Sequence, residues 1–121
     1  MNLSSQRQYI QRATNAKLYL TTTNATTLYT SPTGSDFNFA IVESILVNNN
    51  TSGQTNIILT ITNTSSSVFP LYNEFVIAAD TTAELLSRSL VLTAGEILKI
   101  TAADANKIYT TASIIEYAKG D

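Results

Sequence analysis

The sequence predicts an all-β fold, an antiparallel β-sandwich of jelly-roll-like form with about eight strands. Three observations lead there. Short runs rich in Val, Ile, Leu, Tyr and Thr recur along the chain, and such residues fit a pleated, half-buried surface. Clusters of Asn, Ser, Thr, Asp, Gly and Pro separate them, which is the chemistry of turns. No stretch carries helical periodicity beyond two turns, and no repeat of constant period is present. The strongest stretch is residues 40–63, where AIVESILV and TNIILTIT flank NNNTSGQ. That loop exceeds a two-residue turn, and the spacing predicts a long-loop hairpin at the centre of a sheet. Neither run alternates cleanly, because Ile58 interrupts the polar side of the second and Val42 and Leu46 oppose Ile41 and Ile45 in the first. Apolar residues on both sides call for neighbours on both faces, or for contact with another subunit.

Taken in order, residues 1–16 read as a polar N-terminal arm, with residues 17–121 as the β-sandwich domain. A short helix over residues 4–12 is compatible with the composition, and a frayed terminus or an arm that orders on a neighbouring subunit are the alternatives for this segment. KLYLTT (17–22) and TTLYT (26–30) read as a strand pair around Thr23-Asn24-Ala25, and SPTGSD (31–36) as a turn with Pro fixing φ and Gly free to take φ > 0. After the loop at 63–67, Pro70 marks 68–72 as an edge strand or a bend. Residues 75–79 are a short strand. Asp80-Thr81-Thr82 either caps a helical turn or forms a strand–bend–strand path. Residues 90–92 and 96–102 form a second expected hairpin through Thr93-Ala94-Gly95, and 108–111 with 113–118 close the chain.

Composition narrows the function. At 121 residues and 13.1 kDa the chain suits one domain with its own core. Charged residues make up 13%, about half the usual share. The net charge is −2 and the seven Lys and Arg are scattered, so the basic face of a nucleic-acid binder is missing from the pattern. Absence of Cys and His removes thiol chemistry, zinc–thiolate sites and the commonest general base. No run reaches membrane-spanning length, and the first residues lack the apolar centre of a signal peptide, so synthesis in a cytoplasm and no membrane partner are expected.

Reactive constellations are weak. Glu43, Glu74, Glu84, Glu96 and Glu116 are the carboxylates for an acid/base pair, and nothing in their spacing joins two of them. Asp80 with Thr81 and Thr82, or Asp104 near Asn106, fall short of the six or so oxygen ligands of a calcium loop. Four Gly never cluster into a phosphate cradle. Tyr19 and Tyr29 on adjacent strands would form an aromatic pair, with cross-strand packing a simpler account than sugar binding. No catalytic residue, no metal and no cofactor is expected.

Leu28-Tyr29-Thr30, Ser44-Ile45-Leu46-Val47, Asn50-Thr51-Ser52-Gly53, Ala79-Asp80-Thr81-Thr82 and Leu90-Val91-Leu92-Thr93-Ala94-Gly95-Glu96 together resemble a family of small phage virion proteins over roughly residues 26–117. The resemblance implies a non-enzymatic virion structural protein, either a head decoration (cement) protein or a neck, tail or fibre component that binds host glycan. It also implies partners: other copies of the chain, with a homotrimer favoured, and other virion proteins such as the major capsid protein. The departure from a plain module is the N-terminal extension. Leu3, Tyr9 and Ile10 are its apolar anchor points, and Arg7 and Arg12 are its candidates for bidentate pairs with carboxylates of a neighbouring subunit.

Overall fold

The computed structural model describes residues 11–118. The strands are β1 (Gln11–Leu20), β2 (Thr26–Thr30), β3 (Phe39–Asn49), β4 (Thr55–Thr62), β5 (Val68–Ile77), β6 (Thr81–Glu84), β7 (Leu90–Leu92), β8 (Ile97–Ala102) and β9 (Ile108–Tyr117). They form two antiparallel sheets. The first has the order β1-β9-β3-β6, with β7 also on β3, and the second has the order β2-β8-β4-β5. Because β6 pairs with Leu46–Asn49 and β7 with Ala40–Val42 along one side of β3, they are two pieces of one broken strand. The arrangement is then an eight-position jelly roll. The expected fold class is the one found.

The pairing differs from the sequence expectation. The strands expected at 40–47 and 55–62 are each central, but in different sheets, and the five residues between them, 50–54, cross the sandwich instead of closing a hairpin. Likewise 17–22 and 26–30, and 90–92 and 96–102, fall in different sheets and form no hairpin, while 108–111 and 113–118 are one unbroken strand. Of the strands adjacent in sequence, only β4 and β5 pair with each other. The reason is burial. Two neighbouring segments that each carry a strong apolar face bury both by facing one another across a core, which a two-stranded hairpin cannot do. Ile45 and Val47 of β3 and Ile57 and Leu59 of β4 are fully buried on the opposed inner faces.

The broken alternation of β3 has a different cause from the expected two-faced burial. A bulge at Glu43 shifts the register between Val42 and Ser44, so the inward residues run Ala40, Val42, then Ile45, Val47 and Asn49. One extra residue moves every later side chain to the other parity. Pro70 lies on β5, an edge strand as the sequence indicated. Thr81–Glu84 is a strand, so the helical-turn alternative at Asp80 does not form.

β1 begins at Gln11, so residues 11–16 of the expected arm belong to the sheet. Their poor β propensity is overridden by an unbroken ladder with β9, from Gln11↔Tyr117 to Leu20↔Ile108. The expected helix over 4–12 fails at Gln11 and Arg12, which are extended. Residues 1–10, with Leu3, Arg7, Tyr9 and Ile10, lie outside the described residues.

Candidate assembly surfaces

The connections gather at two ends of the sandwich. At one end, Asn49 is wholly buried and organises the loop that follows it. Its Nδ2 donates to the carbonyls of Gly53 (2.8 Å) and Ile77 (3.2 Å), and its Oδ1 accepts from the Thr51 N–H (3.1 Å) and hydroxyl (2.7 Å). The Thr51 carbonyl in turn accepts the Asp80 N–H, and Lys107 O accepts the Asn50 N–H. Asp104 accepts from the Thr55 hydroxyl at 2.7 Å. Both candidate calcium segments are thus engaged in loop closure.

At the other end, Ser31 and Gly95 tie two loops together through Ser31 N–H to Glu96 O and Gly95 N–H to Ser31 O. Gly95 has φ 78°, and a Cβ there would come within 3.0 Å of Thr64, so this turn requires Gly. Here the chain also buries a charge. Glu116 faces inward at the end of β9 and accepts from Arg12 Nε at 2.6 Å and from the Tyr29 hydroxyl. The Arg12 guanidinium lies 3.9 Å from the centre of the Phe37 ring, a cation–π contact. Burial first, and then the adjacent Glu116 carboxylate, push the Tyr29 phenol above its ordinary range. Arg12 Nε is therefore engaged by its own chain, while the Arg12 side chain stays 56% exposed.

Midway along β3, Glu84 fills the gap between β6 and β7. Its carboxylate accepts from the Ser44 hydroxyl, the Ile45 N–H at 2.8 Å and the Leu86 N–H at 3.1 Å. Burial alone would raise this carboxyl, but those donors together outweigh it and hold it below the ordinary value. The carboxylate stands in for the ladder that the broken strand cannot supply.

The outer face of the first sheet carries an apolar row across four strands. Ala13 of β1 lies beside Ile115 of β9, Ile115 beside Ile41 of β3, and Ile41 beside Val91 of β7. Phe39 and Tyr117 stack beside it with ring centres 5.1 Å apart. Further along the same face, Tyr19 stacks on Tyr109 at 4.3 Å, and both are more than 40% exposed. Tyr19 therefore pairs with Tyr109 across β1 and β9, not with Tyr29. Lys17 and Thr111 border these rings in a hollow of about 270 Å³. The outer side of the second sheet has a broader hollow of about 490 Å³, with Asn56, Ile58, Asn73, Glu74 and Thr101 on its walls. Its free edge, β5, exposes Val68, Phe69, Leu71 and Val76.

No group of three or more acidic side chains comes together among the described residues. The five Glu are separated by role: Glu84 and Glu116 as above, Glu96 accepting the Thr93 N–H, Glu43 near the Ser89 hydroxyl, and Glu74 on the β5 bulge. Sequence reasoning missed the inward Glu116. The signal was parity, since Ile108, Thr110, Ala112 and Ile114 put Glu116 on the core face once 108–117 is read as one strand.

No family model and no curated protein matches the chain. Solved structures match its fold. A protein of Bacillus endospore appendages, which form disulfide-linked pili, aligns with 13% identity over 91% of this chain and 88% of its own, at a TM-score of 0.55. A chain from infectious bursal disease virus, Gx strain, aligns with 10% identity over 88% of this chain and 32% of its own, at 0.54. A mutant VP2 protein of infectious bursal disease virus, in derived T=1 particles, aligns with 12% identity over 91% and 32%, at 0.52. The present chain spans about a third of the length of these two viral chains. At such identities the likeness concerns the jelly-roll fold.

Proposed function

We propose that this chain is a non-enzymatic structural protein of a phage virion, bound to the outside of the head as a decoration protein. The observation that carries the reading is the apolar row Ala13-Ile115-Ile41-Val91, flanked by the Phe39–Tyr117 stack, on the outer face of a domain whose core is already closed. A contiguous apolar patch outside a filled core is the mark of a contact surface. The likeness of fold to particle- and filament-forming proteins supports a building-block role. Disulfide linkage, named for the appendage protein, is not available to a sequence without Cys.

Attachment to the major capsid protein is assigned to the residues before β1, with Leu3, Tyr9 and Ile10 as apolar anchors and Arg7 as the charged one. Deleting residues 1–10 should leave the fold and its melting intact and lower occupancy on particles. Unchanged occupancy would remove the segment from the attachment site. The reading as a whole is tested by gel densitometry of purified virions. A decoration protein approaches the copy number of the major capsid protein, whereas a small fraction of that number would place it in neck, tail or fibre.

The stacked Tyr19 and Tyr109 favour that second reading, as a fibre or tail component that binds host glycan. Exposed aromatic rings beside Lys17 and Thr111 offer a stacking platform with polar groups at its rim. A glycan array probed with wild type and with Tyr19→Ala decides it: binding lost in the variant supports it, and no ligand for either counts against it.

A further inference from the structure

A sandwich of two open sheets has four lateral edges, and each exposes backbone donors and acceptors able to pair with another strand. Among the described residues, three of the four are blunted. The β6/β7 edge is broken into strands of four and three residues. β2 has five residues and a register shift between Thr27 and Tyr29. β5 contains Pro70, which has no N–H, two register shifts, and Glu74 at φ 56°. Short strands, bulges and Pro are the devices that prevent edge-to-edge pairing.

β1 has none of these. It runs for ten residues with ten consecutive partners on β9, no register shift, no Pro and no Gly. Gln11 to Asn15, Lys17 and Tyr19 are exposed. Its protective features are two charged side chains, Lys17 and Arg12, and Arg12 is engaged by Glu116 of the same chain.

We propose that the free edge of β1 pairs with β1 of a second copy of this chain, antiparallel about a two-fold axis. A second β1 is the occupant because every other edge among the described residues is blunted, so the unblunted edge finds its match there only in itself. Such an interface is isologous. Residues directly opposite must share a sheet face, which restricts the axis to a residue position. The exposed stretch of β1 runs from Gln11 to Tyr19 and is centred on Asn15, with Leu20 buried, which favours the axis at Asn15 over one at Ala16. In that register Ala13 lies opposite Lys17 of the partner copy, Gln11 opposite Tyr19, Arg12 opposite Leu18 and Thr14 opposite Ala16. No like charges are opposed, so Lys17 does not block the pair. The two five-stranded sheets join into one, and the apolar rows of both copies lie on the same continuous face.

The absence of Cys makes the test clean. Asn15→Cys places two thiols directly opposite across the axis, at a Cβ separation of about 4.5–5.5 Å. On oxidation, or with a short bis-maleimide, the band on a non-reducing gel should shift from monomer to dimer. Thr27→Cys on β2 and Val76→Cys on β5 should stay monomeric under the same conditions, with circular dichroism confirming that all three fold. Light scattering of the unmodified chain at tens of micromolar should give a dimer. Equal cross-linking of the three variants, no cross-link at position 15, or a trimer or monomer by scattering would each overturn the two-fold pairing. The measurement uses free protein, so its failure and failure of the virion reading are distinguishable.

Discussion

The two ends of the sandwich solve one problem with different chemistry. At each, backbone groups leave the sheets and need partners away from bulk water. The Asn49 end uses a neutral amide, whose donor and acceptor sides each meet two partners. The opposite end uses a carboxylate, Glu116, held by Arg12 and Tyr29. An amide can satisfy carbonyls and N–H groups together, whereas a carboxylate only accepts. The amide therefore sits where loop backbone of both kinds converges, and the carboxylate where side-chain donors converge. The amide is fully enclosed, while the ion pair leaves the Arg12 side chain 56% exposed. The difference teaches that the Asn49 end depends on geometry, and the Glu116 end on charge that solvent partly screens.

The largest effect should come from breaking the enclosed end. Asn49→Ala takes the amide donor from two carbonyls and leaves the Thr51 N–H without its acceptor beside a new void, the Gly53 carbonyl keeping only the Thr51 hydroxyl at 3.1 Å, and should lower stability by about 3 kcal/mol. Chemical denaturation measures it. Glu116→Gln keeps the shape and removes the charge at the other end. After a discount for the exposure of Arg12, a loss of about 1–2 kcal/mol is expected. A larger loss at 116 than at 49 would invert the contrast drawn between the ends.

Glu84 lies between the ends and sharpens the comparison through pH. Its folded carboxyl is held below the ordinary value. Its contribution is therefore fully present above the unfolded value of about 4.3 and lost as pH falls through the lower folded value. Glu84→Gln should cost about 1 kcal/mol at neutral pH, discounted for exposure. Denaturation midpoints of variant and wild type should converge as pH falls below that unfolded value. A constant difference across that range would show that the carboxylate is not the responsible form.

The smallest effect has the opposite sign. Thr110 is buried on the inner face and its hydroxyl has no hydrogen-bond partner. Thr110→Val keeps the shape and removes the unsatisfied group, for a gain of up to about 1 kcal/mol. A loss in thermal melting would mean that the hydroxyl finds a partner, such as a water, in solution.

What the sequence by itself determined was strand existence, most turn positions and which residues of a short run share a face. These follow from side-chain stiffness, the two-residue period and Gly or Pro chemistry, which act over a few residues. It identified Pro70 as an edge marker and the class as an antiparallel sandwich. Partner choice was decided only by the tertiary structure. A run such as 55–62 has the same local pattern whether it pairs with 40–47 or faces it across a core. The decision depends on burying both apolar faces at once, which is a property of all strands together. The same is true of QRATNA at 11–16, a polar segment drawn into the sheet by β9, and of Glu43, where one inserted residue in β3 changes which side chains reach the core. Glu84 and Glu116 show no partner in one dimension because their donors lie on strands distant in sequence, and only folding brings those donors within 3 Å.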